Sequence, residues 1–459
     1  MHIYHHRVGM VLMEERIGRV ALAYSGGLDT SVAVPWLIDT YGCEVICVAV
    51  DVGQGDSDLE GIEAKATAAG AVACHVVDVR DELVTDFIWP VLRAGAVYSR
   101  KYLLGTSMAR PLIAREVVRI ARLEGCGAVA HGCTGKGNDQ VRFELTFGWL
   151  APDLKVIAPW REWSIRGRKD AEEYAIARGV PIPPRKTSLY SRDRNVWHCS
   201  HEGGPLEDAA NAPSPDVFRI TADPASAPLE GETVEIGFQS GTPVSIDGVP
   251  RAPLALLEAL NRIGGRNGIG RTDLIEDRVV GLKSRGIYET PGGTMLYSAH
   301  SELEQLVLDR GTLELKDDLA RRYASLVYEG RWWGTERAAL DAFVNVTQEK
   351  VTGSVTLKAC RGALSVVARR SGNALYREEL ATFEASDLYD HSDATGFIRL
   401  FGLPYRVSGP GAVSPEPPIF QPTEPDADVA GAMVFRGNGK PAASSESGIA
   451  QPGEAFVQL

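Results

Sequence analysis

Few cysteines, no paired-cysteine motif, no long apolar run and a shortage of positive charge mark this chain. Seven Cys among 459 residues are an odd, scattered set without a C-x-x-C. That excludes a disulfide framework as the basis of folding and favours a reduced, cytoplasmic setting. No His/Cys cluster shows zinc-ligand spacing, so no protein-held metal is expected. No stretch reaches the ~18 uninterrupted apolar residues of a membrane span, and no membrane association is expected. Lys and Arg number 48 against 60 Asp and Glu, for a net charge of −12. Non-specific nucleic-acid binding rests on neutralising phosphates, so nucleic acid is not an expected partner. The basic cluster Arg161, Arg166, Arg168 and Lys169 reads as a solvated surface.

Two nucleotide-loop signatures are also missing. There is no G-x-x-x-x-G-K-[ST] and no G-x-G-x-x-G at the expected place. What stands there instead is Ala23-Tyr24-Ser25-Gly26-Gly27-Leu28-Asp29-Thr30-Ser31. It follows an apolar strand-like run, Val20 to Ala23, and precedes a helix-like run, Val32 to Ile38. A helix start directs free N–H groups and partial positive charge at the loop. Gly26 and Gly27 admit close backbone approach, and Ser25, Thr30 and Ser31 add hydroxyls. A phosphate chain suits such a pocket. The pattern S-G-G-x-D-[ST] resembles the PP-loop of the N-type ATP pyrophosphatases, which cleave ATP between the α and β phosphates.

From Arg19 to about Pro183, short apolar runs alternate with helical stretches. Val45–Val50, Ala71–Val77 and Ala128–Ala130 read as strands, and Leu59–Ala69 and Ala109–Glu124 as helices. This alternation predicts an α/β fold with a doubly wound parallel sheet, whose ligands sit at the carboxyl ends of strands. The Pro181-Ile182-Pro183-Pro184 segment reads as a hinge. Beyond it the texture is α+β, with hairpins over 232–246 and 355–368 and helices over 302–307 and 319–328. Four segments are expected: an N-terminal extension over 1–18, a nucleotide-binding domain over 19–183, an α+β domain over 184–402, and a Pro/Gly/Ser-rich tail over 403–459. The first and last lack core-forming periodicity and are expected to be flexible. Met10 and Met13 are alternative starts.

A second post-strand loop runs His131-Gly132-Cys133-Thr134-Gly135-Lys136-Gly137-Asn138-Asp139-Gln140-Val141-Arg142-Phe143-Glu144. Its glycines allow an anion nest, Lys136 suits phosphate, and Arg142 suits a carboxylate. With both loops in view, the chain resembles the argininosuccinate synthase family. The matching strings are A-Y-S-G-G-L-D-T-S (23–31), D-V-G-Q (51–54), K-Y-L-L-G-T-S-M-A-R-P (101–111), H-G-C-T-G-K-G-N-D-Q-V-R-F-E (131–144), P-W-R-E-W (159–163), G-I-G-R (268–271), K-S-R-G-I-Y-E-T-P (283–291) and D-A-T-G-F-I (393–398).

The resemblance implies roles by position. ATP would be held by Ala23 to Ser31 and by Gly132. Substrate aspartate would meet Thr134, Asn138 and Asp139. Citrulline would meet Tyr102, Ser107, Asn138, Arg142, Ser191, Ser200, Glu276 and Tyr288. Val50 and Cys133 stand where Ala is usual in the family. Mg²⁺ accompanying ATP, a homotetramer and a place in arginine biosynthesis are also implied. On chemistry alone, Arg142 can take a carboxylate, Glu276 an ammonium, and the hydroxyls the remaining donors and acceptors. Taken singly, Tyr102 and Tyr288 read first as residues at the edge of a core, and the matched strings around them reverse that preference. The implied reaction joins citrulline and aspartate through a citrullyl adenylate, releasing AMP and pyrophosphate. No residue stands out as the base for the aspartate amine. The alternatives are another adenylating ligase of the same superfamily and a non-catalytic nucleotide-binding homologue. Acidity and scattered cysteines disfavour a tRNA-modifying version, and no glutaminase domain precedes the first loop.

Overall fold

The computed structural model describes residues 17–181, 189–384 and 388–410. They fall into two units divided after Phe383. Most of the 1–18 extension, most of the Pro181–Pro184 hinge, and the tail beyond 410 lie outside the described residues.

Five strands, β1 (Arg19–Ala23), β2 (Glu44–Asp51), β3 (Ala73–Asp78), β4 (Ala128–His131) and β5 (Lys155–Ile157), form a parallel sheet in the order β3-β2-β1-β4-β5. The α/β reading therefore holds. Side chains alternate across a strand, and both faces of this sheet are covered. Ala21 and Ala23 pack into one core with Ile46, Val48 and residues of the helix Gly105–Leu123. Val20 and Leu22 pack into another with Val45, Cys47 and residues of the helix Leu28–Tyr41. This two-sided burial explains why β1 and β2 read as continuous apolar runs. Leu22 is fully buried, so Leu22→Ala should cost about 2–5 kcal/mol.

Among the described residues nine further strands follow, all antiparallel: β6 (Ser191–Arg194), β7 (Cys199–Glu202), β8 (Glu232–Gln239), β9 (Thr242–Ile246), β10 (Val249–Pro250), β11 (Arg271–Asp277), β12 (Lys283–Glu289), β13 (Gly353–Cys360) and β14 (Ala363–Arg370). They make a five-stranded sheet, β10-β9-β8-β13-β14, and a four-stranded sheet, β11-β12-β7-β6. Both expected hairpins form. Thr242 and Pro243 belong to β9 rather than to its turn, where a register shift accommodates the proline. The helices Pro291–Val307 and Arg310–Tyr328 extend the shorter expected ones, and the helices Pro253–Arg266 and Thr335–Gln348 were not anticipated.

The second unit contains the helices Asp393–Phe401 and Leu403–Ser408. The start of the segment read as tail is thus helical. All seven cysteines are free thiols, and no helix of the described residues is long and apolar enough to cross a membrane.

Candidate active site

A cleft of about 770 Å³ lies in the first unit, at the carboxyl ends of β1, β2 and β4, and reaches across to the four-stranded sheet. Of the expected site residues, Ala23, Tyr24, Ser25, Gly26, Gly27, Asp29, Thr30, Tyr102, Gly132, Thr134, Asn138, Asp139, Arg142, Ser191, Ser200, Glu276 and Tyr288 line it. Leu28, Ser31 and Ser107 do not. Ser31 is buried behind the first loop, where its hydroxyl meets the Tyr24 Oη at 3.0 Å. Ser107 is fully buried next to Tyr102. Leu28 is packed in the core at the helix start.

The first loop bonds to itself weakly: Ser25 N–H donates to Thr30 Oγ1 and Gly27 N–H to Ser25 Oγ, each at 3.4 Å. Gly27 caps the helix Leu28–Tyr41 and supplies no side-chain bond to its first N–H groups. Gly26 has φ +67°, the left-handed region that only glycine enters freely. Ser25 Oγ and Thr30 Oγ1 lie 3.2 Å apart on the cleft side. Burial raises the Asp29 carboxyl above its ordinary range. The two loops touch: a Cβ on Gly132 would lie 2.8 Å from Thr30 Cγ2.

The opposite wall is already paired. Arg110 Nε donates to Asp139 at 2.9 Å, and Arg110 Nη2 donates to Asp193 at 2.6 Å. Arg142 Nη1 donates to the other Asp139 oxygen at 2.9 Å, while its Nε donates to the Tyr328 carbonyl at 3.0 Å. Burial pushes the Asp139 carboxyl up, but Arg110 and Arg142 together outweigh it and hold Asp139 below its ordinary value. Asn138 donates to Tyr328 Oη at 2.9 Å and accepts from the Val279 N–H at 2.8 Å, so the second loop is tied to two distant segments.

Strand pairing assembles the rest. Asp193 faces Ser200, and Ser200 faces Tyr288, forming one row across β6, β7 and β12. Tyr288 Oη donates to buried Glu276. The other Glu276 oxygen has no hydrogen-bond partner among the described residues. An anionic oxygen in that state wants a cation or a strong donor. Tyr102 packs against Tyr288 with ring centroids 4.6 Å apart, and burial raises its phenol to about 12, so both tyrosines are neutral donors at physiological pH.

Several lining residues were missed from the sequence: Thr106, Arg110, Asp193, Glu202, Arg278 and Tyr328. Helical periodicity held a signal for some of them, because Thr106, Arg110 and Ile113 share one face of the helix Gly105–Leu123 with the spacing i, i+4, i+7. His198 sits behind them, fully buried. Its Nε2 is 3.1 Å from Thr106 Oγ1, and burial depresses its pKa to about 4.

Cys199, His201 and Glu289 come together although no ligand spacing is visible in the chain. Pairing of β7 with β12 places them there. Glu289 already accepts from His201, from Thr221 Oγ1 and from the N–H groups of Arg219, Ile220 and Thr221. Its lone pairs are spent on that clamp, which holds the 219–221 segment against β12.

Comparison with known proteins agrees with this arrangement. The family model described as the arginosuccinate synthase N-terminal HUP domain matches residues 19–181, and that of the arginosuccinate synthase C-terminal domain matches residues 190–408. The chain is 58% identical over 392 residues to a chloroplastic argininosuccinate synthase of Arabidopsis thaliana, covering 85% of this chain and 79% of the relative. It is 57% identical over 396 residues to the argininosuccinate synthase of Roseiflexus sp. (strain RS-1), covering 86% and 97%. Against that of Desulforamulus reducens it is 58% identical over 389 residues, covering 85% and 97%. The chain belongs to the argininosuccinate synthase family.

Proposed function

We propose that this cleft activates citrulline as its adenylate at the first loop and delivers aspartate to it from the second. The enzyme is an ATP-dependent ligase that joins citrulline and aspartate in arginine biosynthesis, as its family membership establishes. Residue roles and chemical steps are our reading. Its main support is the division of the cleft into a donor-rich loop, weakly bonded to itself, and a facing wall of paired charges.

The triphosphate lies along Ser25 to Thr30, on the helix start. Gly132 packs on Thr30 and leaves room for the nucleotide. Mg²⁺ would arrive on the triphosphate and draw on the hard oxygens of Asp29, Ser25 and Thr30, neutralising charge on the departing pyrophosphate. Citrulline places its ammonium on the unpaired Glu276 oxygen, its carboxylate near Arg142, and its polar groups on Ser191, Ser200, Tyr102 and Tyr288. Ser107 supports Tyr102 from behind. Aspartate meets Thr134, Asn138 and Asp139.

The ureido oxygen attacks the α-phosphorus, because the ureido nitrogen lone pairs are delocalised into the carbonyl. Pyrophosphate leaves, and the bound adenylate carries AMP as its leaving group. The aspartate amine then adds at the ureido carbon and AMP departs. The chain contributes position and fixed charge throughout. A cytoplasmic homotetramer is part of the same proposal.

Exchange of labelled pyrophosphate into ATP tests the first half-reaction. It should require citrulline and proceed without aspartate. Exchange indifferent to citrulline would favour a different adenylating ligase, and its absence together with absent product would favour a non-catalytic homologue.

A further inference from the structure

The first loop lacks the lysine of a Walker loop, yet a lysine from elsewhere in the chain reaches its edge. Lys65 lies on the helix Ile62–Ala68 and lines the cleft together with Gly26, Gly27 and Asp29. Ile62 and Ala66 of that helix are buried in the same core as Leu28, so the helix is seated beside the loop. A Cβ on Gly26 would lie 3.3 Å from Ile62 Cγ1 and 4.0 Å from Lys65 Cδ. The lysine stem therefore runs along the glycine that gives the loop its turn.

The ammonium is little engaged. Lys65 Nζ donates to the Glu60 carbonyl at 3.4 Å, a long bond, and forms no ion pair among the described residues, Asp58 of the same lining included. By contrast Arg110, Arg142 and Arg278 of the cleft each hold a carboxylate. Arg192 and Arg194 belong to β6, on the four-stranded sheet. The direction of approach also matters. Ile62 packs into the core on one face of the parallel sheet, and Tyr102 and Tyr288 pack into the core on the other. The α-phosphorus must face the citrulline wall to be attacked, so a cation arriving from the opposite side meets the far end of the triphosphate. A compact ammonium on a flexible stem suits phosphate oxygens without demanding one fixed geometry.

We propose that Lys65 binds the β and γ phosphates of ATP and then the departing pyrophosphate, supplying from a neighbouring helix the cation that the loop itself lacks. The inference rests on reading the cleft as the ATP site and adds to it a residue outside both loops. As the ureido oxygen bonds to the α-phosphorus, the bond from that phosphorus to the bridging oxygen breaks. Its electron pair leaves on pyrophosphate, and the Lys65 ammonium stabilises the charge that develops there.

Titration calorimetry of ATP with Mg²⁺, and of AMP, tests it on the full chain and on Lys65→Met and Lys65→Arg. Lys65→Met should weaken ATP at least about tenfold and leave AMP, which has no β or γ phosphate, within about twofold. Lys65→Arg keeps the charge and should recover most of the ATP affinity. In the reverse reaction the KM for pyrophosphate should rise in Lys65→Met. Thermal unfolding confirms that each variant is folded. Unchanged ATP affinity in Lys65→Met, equal weakening of ATP and AMP, or a Lys65→Arg variant as weak as Lys65→Met would overturn this inference and leave the reading of the cleft standing. Failure of the unsubstituted chain to bind ATP would overturn both.

Discussion

The two walls of the cleft are built in opposite ways. The wall we assign to phosphate comes from one stretch, Ala23 to Thr30, with Leu28 turned into the core, and its helix start carries no side-chain cap. The wall we assign to the amino acids draws on Tyr102, Arg110, Asp139, Arg142, Asp193, Ser200, Glu276, Tyr288 and Tyr328, brought together by helix faces and strand pairing. The charges of Arg110, Asp139, Arg142 and Asp193 are paired among themselves, while Glu276 keeps one oxygen without a partner among the described residues. A triphosphate brings charge enough to fill an open nest. Under the proposed roles the amino acids bring far less charge than a triphosphate, so their site must hold its own shape.

Breaking the paired wall should have the largest effect. Arg110→Met leaves Asp193 without its cationic partner and Asp139 with Arg142 alone. Both carboxylates are part-buried and would lose their orientation, so kcat/KM for both amino acids should fall ~10-fold or more. ATP binding, measured separately by calorimetry, should change far less. An equal loss for ATP would mean that the two walls are not separate.

Next comes the seam between the loops. In Gly132→Ala the new methyl would meet Thr30 Cγ2 at 2.8 Å, and the first loop must yield. Overpacking of this kind costs about 1–3 kcal/mol. It should appear as a raised KM for ATP with little change in citrulline affinity. Arg142→Lys sharpens the comparison from the other side: losing the planar fork should weaken citrulline by ~1–3 kcal/mol and leave ATP nearly untouched. Titration calorimetry on both variants gives the crossed pattern or refutes it.

The same contrast decides what the sequence revealed. Both loops were legible because each is local: small residues between an apolar strand and a helix start need no knowledge of distant partners. The parallel sheet was legible because β1 and β2 are buried on both faces. Residues such as Asp193 and Arg278 carried no local sign. They reach the cleft through pairing of β6 with β7 and through Arg278, which donates to the Lys136 carbonyl at 2.9 Å. Ser200, Glu276 and Tyr288 were named only through family resemblance, since alternation along short strands does not say which neighbours they will have. The helix Pro253–Arg266 escaped notice although its signals are ordinary ones: Pro253 in its first turn, and Leu256, Leu257 and Leu260 on its buried face.

The last effect, on stability rather than on either wall, concerns acid. His198 has a folded pKa of about 4 against an ordinary value of 6.5, so between these limits the unfolded chain binds more protons. Stability is therefore complete above pH ~6.5 and falls as pH drops toward ~4, by up to about 3 kcal/mol from this group. Asp139, held below its ordinary value, adds a loss at still lower pH. Denaturant unfolding across that range should show the slope, and His198→Gln should flatten its upper part.

The central claim is attack by the ureido oxygen on the α-phosphorus at the first loop. Citrulline carrying heavy oxygen at the ureido position, with ATP and aspartate, tests it most directly by mass spectrometry of the nucleotide product. The account predicts that the label appears in AMP, with pyrophosphate formed one for one with argininosuccinate and both suppressed by Asp29→Ala. Release of ADP and inorganic phosphate, or AMP without the label, would contradict it.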